Sequence, residues 1–353
     1  MPWPSPPRRL LPLLALVLIA CAPAAARAES ENATAIKEQL KKAQVQLFVE
    51  NDMLAGSDRY YTNGLKLGGG VEIPLLESLF APIPQSILEA LARKSPEGEE
   101  PINHFGLFIG QNMYTPRHIG VAENQPFDRP WAAWLYLGGV VQRVQGDRLD
   151  SVELDVGMVG PAALGRQVQT GWHRLIGVQQ PKGWSNQIPN ELAFMAAYLQ
   201  KRRFGNDTIQ IVPHMGVTVG TVMTLARAGG IVRIGNRMTG FGPDSIEPGG
   251  AMLQATRDQD MRASDACCEW YLFAGGDYRL VARNIFLDGT LFRDSPSVDR
   301  RNAVYDLTTG LMFRYRQLNL SLTHIRRSEE FTTPSGGGGT QAFYSLNIGW
   351  QFD

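Results

Sequence analysis

Glu50-Asn51-Asp52 ends one apolar-alternating segment, and nine residues after Asp52 the run Tyr61-Thr62-Asn63-Gly64 opens the next. The polar turn Gly56-Ser57-Asp58-Arg59 lies between them. If the flanks pair as strands, carboxylate, amide and hydroxyl groups crowd one end of one hairpin. Oxygen donors of this kind bind hard cations such as calcium, and Glu50, Asp58 and Asp128 could add ligands to Asp52. Asn and Asp are also routine turn caps at strand ends. No D-x-D-x-D-G loop is present, so on spacing alone capping is the simpler reading of Asn51-Asp52.

Histidine is the commonest general base, because it titrates near working pH. The chain has five: His104, His118, His173, His214 and His324. His173 alone lies in a Gly-Pro-bounded, helix-like stretch, with Gln167, Gln169 and Trp172 around it. It reads equally as a solvated loop histidine. No Gly-x-Ser-x-Gly elbow occurs, and His173 is followed by Arg174-Leu175, not by a His-x-Ser pair. A serine nucleophile is unsupported. Water activated by a histidine and attacking an ester is simpler, with a metal or amide donor holding the oxyanion. Asp128-Arg129-Pro130-Trp131 is either an ion pair that fixes a lip or an arginine that grips phosphate. Arg117, Arg166 and Lys182 add positive charge nearby, which suits an anionic glycolipid and suits plain solvated loops as well.

These groups need elements to position them. The 353 residues carry 34 basic and 34 acidic side chains. A balanced charge offers no basic stripe for nucleic acid. The only long apolar run is Leu10 to Ala20, after Arg8-Arg9 and before Ala24-Ala25-Ala26-Arg27-Ala28. That order predicts a secretory signal over 1–28. Leu18-Ile19-Ala20-Cys21 reads alternatively as a lipoprotein cleavage site. After cleavage at Ala28 only Cys267 and Cys268 remain. Neighbours on a strand point to opposite faces, so the pair is read as structural.

Beyond a short helical lead-in from Asn32 to Gln44, strand signals dominate. Alternating runs occur at Val45–Glu50, Leu65–Gly70, Phe105–Gln111, Trp131–Val144, Leu149–Met158 and Glu191–Gln200. They continue at Ile209–Val222, Leu225–Ile234, Glu269–Val281, Val304–Arg316, Leu318–Ile325 and Phe343–Phe352. About twelve strands of about ten residues with weak alternation predict an all-β, antiparallel transmembrane barrel, as one domain over 29–353. A soluble β-sandwich is the rival. Pro74 to Asn103 and Gly160 to Gly177 predict short helices in connections, and Arg237 to Ala266 is a long polar connection.

With both termini at one rim, odd strands run outward and even strands return. Asn51-Asp52, Thr62-Asn63, Gln111 to Pro116, Asp128 to Trp131, Val159-Gly160-Pro161, His173, Gln187 and Glu191 then share the outer rim. The polar chemistry is one-sided, which argues for a site at the outer leaflet.

The ordered set Glu50-Asn51-Asp52, Tyr61-Thr62-Asn63-Gly64, Gly110-Gln111…Tyr114-Thr115-Pro116, Asp128-Arg129-Pro130…Trp134-Leu135-Tyr136, Gly160-Pro161…Gly165…Gln169…His173-Arg174…Gly177 and Gly183-Trp184…Gln187 resembles the lipid A deacylase family of outer-membrane β-barrels. The resemblance implies a twelve-stranded barrel that removes the 3′-linked acyloxyacyl group of lipid A, with calcium. It implies that Asn51, Asp52, Thr62 and His173 occupy the essential positions, with His173 as base. Two departures stand out. Gln179 replaces a glutamate six residues after the histidine, and no lysine occurs from Arg117 to Glu123. Asp52, with Asp58 and Glu191 in place of the missing carboxylate, is the expected metal set. Arg129, Arg117, Lys182 and Gln169 are expected to hold substrate, and the partner is lipid A in the outer leaflet, met by a monomer. A calcium-dependent outer-membrane phospholipase is the enzymatic alternative, disfavoured by the absent His-x-Ser pair. A non-catalytic pore or anchor is the other. A pore wants charged lumen positions, and the lumen-facing residues are expected to be mostly Gly, Gln, Thr and Ala.

Overall fold

The structure, a computed structural model, describes residues 43–72, 101–247, 249, 268–334 and 336–352. The expected signal, the helical lead-in up to residue 42, helices within 74–100, the far part of the long polar connection and Cys267 lie outside the described residues.

Long strands carry the fold. They are β1 (Gln44–Asn51), β2 (Tyr60–Glu72), β3 (Ile102–Thr115), β4 (Ala132–Gln145), β5 (Arg148–Val159) and β6 (Glu191–Arg202). After them come β7 (Ile209–Gly220), β8 (Met223–Asn236), β9 (Cys268–Asn284), β10 (Ala303–Tyr315), β11 (Leu318–Arg327) and β12 (Gln341–Gln351). Each pairs antiparallel with the next. β12 returns to β1, from Gln351 opposite Gln44 to Tyr344 opposite Asn51, so the twelve strands close into a barrel. All twelve expected strands are present. Closure leaves no unpaired edge, which is what a backbone crossing lipid requires.

The barrel is inside out relative to a soluble one. Leu65, Leu67, Ile109, Leu137, Leu154 and Phe194 alternate outward and are exposed. Lys66, Glu153, Arg233, Asp306 and Arg327 alternate inward and are buried. The lumen is thus far more charged than the expected Gly, Gln, Thr and Ala. Its charges are mostly neutralised in place: Lys66 lies 2.8 Å from Glu153, and Arg327 lies 2.9 Å from Asp306 and also bonds Glu247.

Two insertions fill the lumen. After β8, the chain from Arg237 to Glu247 folds inward. Arg233 donates to the carbonyls of Thr239 at 3.1 Å and Gly240 at 2.9 Å, Lys201 lies 2.5 Å from Asp244, and the Ile246 N–H donates to Glu50 at 3.0 Å. At the opposite rim, a one-turn helix after β9 (Ile285–Asp288) buries Ile285, Phe286 and Leu287, with Phe286 stacked 3.9 Å from Tyr114. The pairing of lumen charges with these insertions removes the motive for an open channel.

The connection after β5 holds a single turn of 3-10 helix (Pro161–Ala163) and then α1 (Gly165–Ile176). Gly177, at φ +73°, ends α1 by giving its N–H to the His173 carbonyl, a left-handed closure that favours glycine.

Candidate active site

The β1–β2 hairpin sets one half of the site. Asn51 lies opposite Asn63, and its amide closes the turn: Nδ2 donates to the Thr62 carbonyl at 3.1 Å, and Oδ1 accepts the Met53 N–H at 2.8 Å. Each end of the Asn51 amide thus makes one capping bond. Asp52 does more. It is fully buried, its Oδ2 accepts from the Ser57 hydroxyl at 2.9 Å and the Arg59 N–H at 2.7 Å, and its Oδ1 lies 3.2 Å from Thr62 Oγ1.

Thr62 owes its direction to a bulge. Tyr61 lies opposite Tyr114 and Asn63 opposite Met113, so Thr62 is the extra residue of β2. Tyr60, two residues earlier, sits at φ +67°. Bulges re-aim one side chain, and such strain persists where the surroundings hold it. Thr62 Oγ1 thereby also comes within 2.7 Å of Asp58 Oδ1. A hydroxyl has one proton to give, so only one of the two carboxylates receives it at a time. Burial pushes the Asp52 carboxyl well above the usual carboxylate range, and the charge of Asp58 pushes it further.

The other half comes from α1. Its buried residues are Gly165, Gln169 and His173, spaced four apart on one face. A Cβ on Gly165 would lie 2.5 Å from Trp184 and 2.6 Å from Ala133, so the helix abuts β4 closely there. Ala133 and Leu135 share the outward parity of Leu137. With Met113, Ile119, Trp131, Ala163 and Trp184 they form an apolar cluster on the exterior of the wall. The site is therefore built outside the barrel, between wall and helix.

His173 is 2% exposed. Its Nδ1 lies 2.5 Å from the Gln179 carbonyl, and its Nε2 lies 3.4 Å from Asp58 Oδ2. A carbonyl accepts only, so Nδ1 is the ring nitrogen that donates there, and Nε2 is the one turned to Asp58. Gln169 donates to Asp58 Oδ1 at 3.3 Å and accepts from Trp184 Nε1 at 2.8 Å. Asp52, Asp58, Thr62, His173 and Gln169 thus form one connected group.

The remaining expected residues fall elsewhere. Arg129 is not at a substrate surface: it is buried, 3.1 Å from Glu330 and 4.8 Å from the centre of the Tyr114 ring. Glu191 does not join Asp52 and Asp58. Its two oxygens accept the N–H groups of Leu291 and Phe292, at 3.0 to 3.1 Å. Glu50 faces inward to Tyr61, and Asp128 accepts the amides of Arg117 and Arg129. Gln169 is buried and positions Asp58. Arg117 and Lys182 are exposed at the rim, and the Arg117 guanidinium lies 3.0 Å from the Tyr60 hydroxyl and from the Gly338 carbonyl. Gln179 serves through its backbone, so the glutamine side chain does not decide whether His173 is held.

No group of three His, Cys, Asp or Glu residues arranged for a metal occurs among the described residues. Asp52 and Asp58 nevertheless suit a hard cation. Their donors are all oxygen, one carboxylate is buried, and one hydroxyl proton serves both. The sequence offered Asp58 as a metal ligand and Gln169 as a substrate contact; that Asp58 joins Thr62, Gln169 and His173 was not visible there.

The family model described as "Outer membrane protein LpxR" matches residues 12–352. Among solved structures, LpxR from Salmonella typhimurium is similar with a TM-score of 0.65 and 22% identity, over 87% of this chain and 99% of that chain. The β domain of the Bordetella autotransporter BrkA is more distant, with a TM-score of 0.40 and 11% identity, over 88% and 98%. No curated protein matches in sequence. A closed barrel with this match places the chain in the outer membrane of a Gram-negative bacterium. The chain belongs to the LpxR family of outer-membrane proteins, the lipid A deacylase family that its ordered motifs resemble.

Proposed function

We propose that this protein is an ester hydrolase that removes the 3′-linked acyloxyacyl group of lipid A, with His173 as general base. The observation that carries the reading is the position of the base. His173 Nε2 lies 3.4 Å from the Asp58 carboxylate, between α1 and the apolar exterior of the wall rather than in the lumen, on the side from which an ester in a lipid approaches. His173 Nε2 takes a proton from water, and that water attacks the ester carbonyl carbon. As the acyl C–O bond breaks, the resulting imidazolium gives its proton to the departing sugar oxygen, which leaves as a hydroxyl, and the acyl group leaves as a carboxylic acid. Nδ1, held on the Gln179 carbonyl, keeps the ring in place through both steps. Asp58 faces the imidazolium as its charge develops, and Gln169 and Thr62 hold Asp58. Asp52 and Asp58, with Thr62, would hold calcium, which when bound supplies positive charge for the oxyanion. Arg117 and Lys182, exposed at the rim, meet the phosphates of the glycolipid.

The test is expression in a Gram-negative host with lipid A read by mass spectrometry. The expected result is a mass loss equal to an acyloxyacyl group, abolished in His173→Ala. An unchanged lipid A spectrum for the wild-type barrel would overturn the proposal, and loss that persists in His173→Ala would overturn the assigned base. Release of fatty acid from phospholipid vesicles with intact lipid A would favour the phospholipase reading.

A further inference from the structure

α1 is amphipathic in a reversed sense. It buries a glycine, a glutamine and a histidine against the wall and leaves its apolar flank uncovered. On that flank Leu164, Val168, Trp172, Leu175 and Ile176 are exposed, Leu175 at 77% and Trp172 at 50%. The opposite flank is polar and carries Arg166 and Arg174, both exposed. A helix seated in water turns its apolar stripe inward. This one does the contrary, with Gly165 packed closely against Trp184 and Ala133 on its buried face.

What covers the flank follows from its neighbours. α1 packs on the outward face of β4, where Leu135 joins the exterior cluster and Leu137, 62% exposed, continues the apolar band of the barrel. That band is the lipid-facing surface of an outer-membrane barrel. An apolar flank continuous with it, backed by arginines, has the make-up of a helix lying in a membrane interface. Arginines at that depth meet anionic headgroups.

We infer that α1 is an interfacial anchor, its Leu164–Ile176 flank inserted into the bilayer and Arg166 and Arg174 at the level of the headgroup phosphates. The helix then fixes the depth of His173, which it carries on its buried face, near the boundary between acyl chains and headgroups. This rests on the barrel being embedded in the membrane and holds whichever ester is cleaved.

The experiment uses the whole barrel in vesicles of phosphatidylethanolamine and phosphatidylglycerol, in a Cys267→Ser, Cys268→Ser background. Single cysteines placed at Val168, Leu175, Arg166 and Arg174 carry a nitroxide. Collision with oxygen reports lipid, and collision with a soluble nickel chelate reports water. A heat-modifiability assay checks that each barrel is folded. Labels at Val168 and Leu175 are expected to favour oxygen several-fold over those at Arg166 and Arg174. Equal access of the nickel chelate to Leu175 and Arg174 would overturn the inference. Because no step of the assay needs ester cleavage, its failure is distinct from failure of the proposed reaction.

Discussion

His173 and Asp58 face each other across the lip of the barrel, Nε2 3.4 Å from Oδ2, although one rides on α1 and the other on the β1–β2 turn. In the proposed reaction this pairing makes the turn part of the base. Asp58→Asn keeps the size of the side chain but removes the charge facing the imidazolium. Deacylation is expected to fall by roughly 10- to 100-fold, against about 10²- to 10⁴-fold for His173→Ala, as general-base losses usually run. Rates from lipid A mass spectrometry decide it, and an Asp58→Asn enzyme as fast as wild type would detach the turn from the mechanism.

Thr62 stands between two carboxylates, so its hydroxyl matters more than its methyl group. Thr62→Ser should retain activity within about threefold, whereas Thr62→Val leaves buried acceptors unmet at a cost of roughly 1–3 kcal/mol and should lose most of the activity. Equal losses in both variants would show that packing, not the hydroxyl, is what counts.

With calcium at the proposed site, Asp52 would tie its binding to pH. Its folded carboxyl is raised well above the usual range, by burial first and by Asp58 second. Stability from this group is therefore complete below the ordinary carboxylate range and is lost as pH rises through the raised folded value. A bound cation needs the ionised form and reverses that loss. Calcium should thus raise the unfolding temperature most at neutral to alkaline pH and progressively less toward acid. Asp52→Asn should abolish the calcium-dependent shift. Thermal unfolding with calcium and with chelator measures both, and a wild-type midpoint indifferent to calcium would remove the metal.

Gln179→Ala should keep activity within about threefold, because His173 bonds the backbone carbonyl and not the side chain. A hundredfold loss would assign the side chain a direct role.

Arg327 is fully buried and joins Asp306 to Glu247, a residue of the inserted segment. Arg327→Ala leaves buried Glu247 without its cation and Asp306 with Arg279 alone, and should cost about 3–5 kcal/mol. The readout is denaturant unfolding of the barrel followed by loss of heat modifiability. An unchanged midpoint would mean that the inserted segment contributes little to holding the barrel together.

The barrel and α1 were legible in the sequence because their signals are local. Period-two alternation marks each strand wherever its partner lies, and Gly-Pro and glycine punctuation bound α1. The order of motifs likewise put Asp52, Thr62 and His173 at one rim. The tertiary structure alone decided which polar groups meet. It brought Asp58 to His173 and sent Glu191 to the amides of Leu291 and Phe292. It buried Arg129 against Glu330, and it matched lumen charges that the alternation pattern had hidden among small residues. The reason is physical. Alternation states which face a residue takes, but a buried charge is settled by whichever partner the closed sheet and its inserted loops carry to within a few ångströms, and that partner lies far away in the chain.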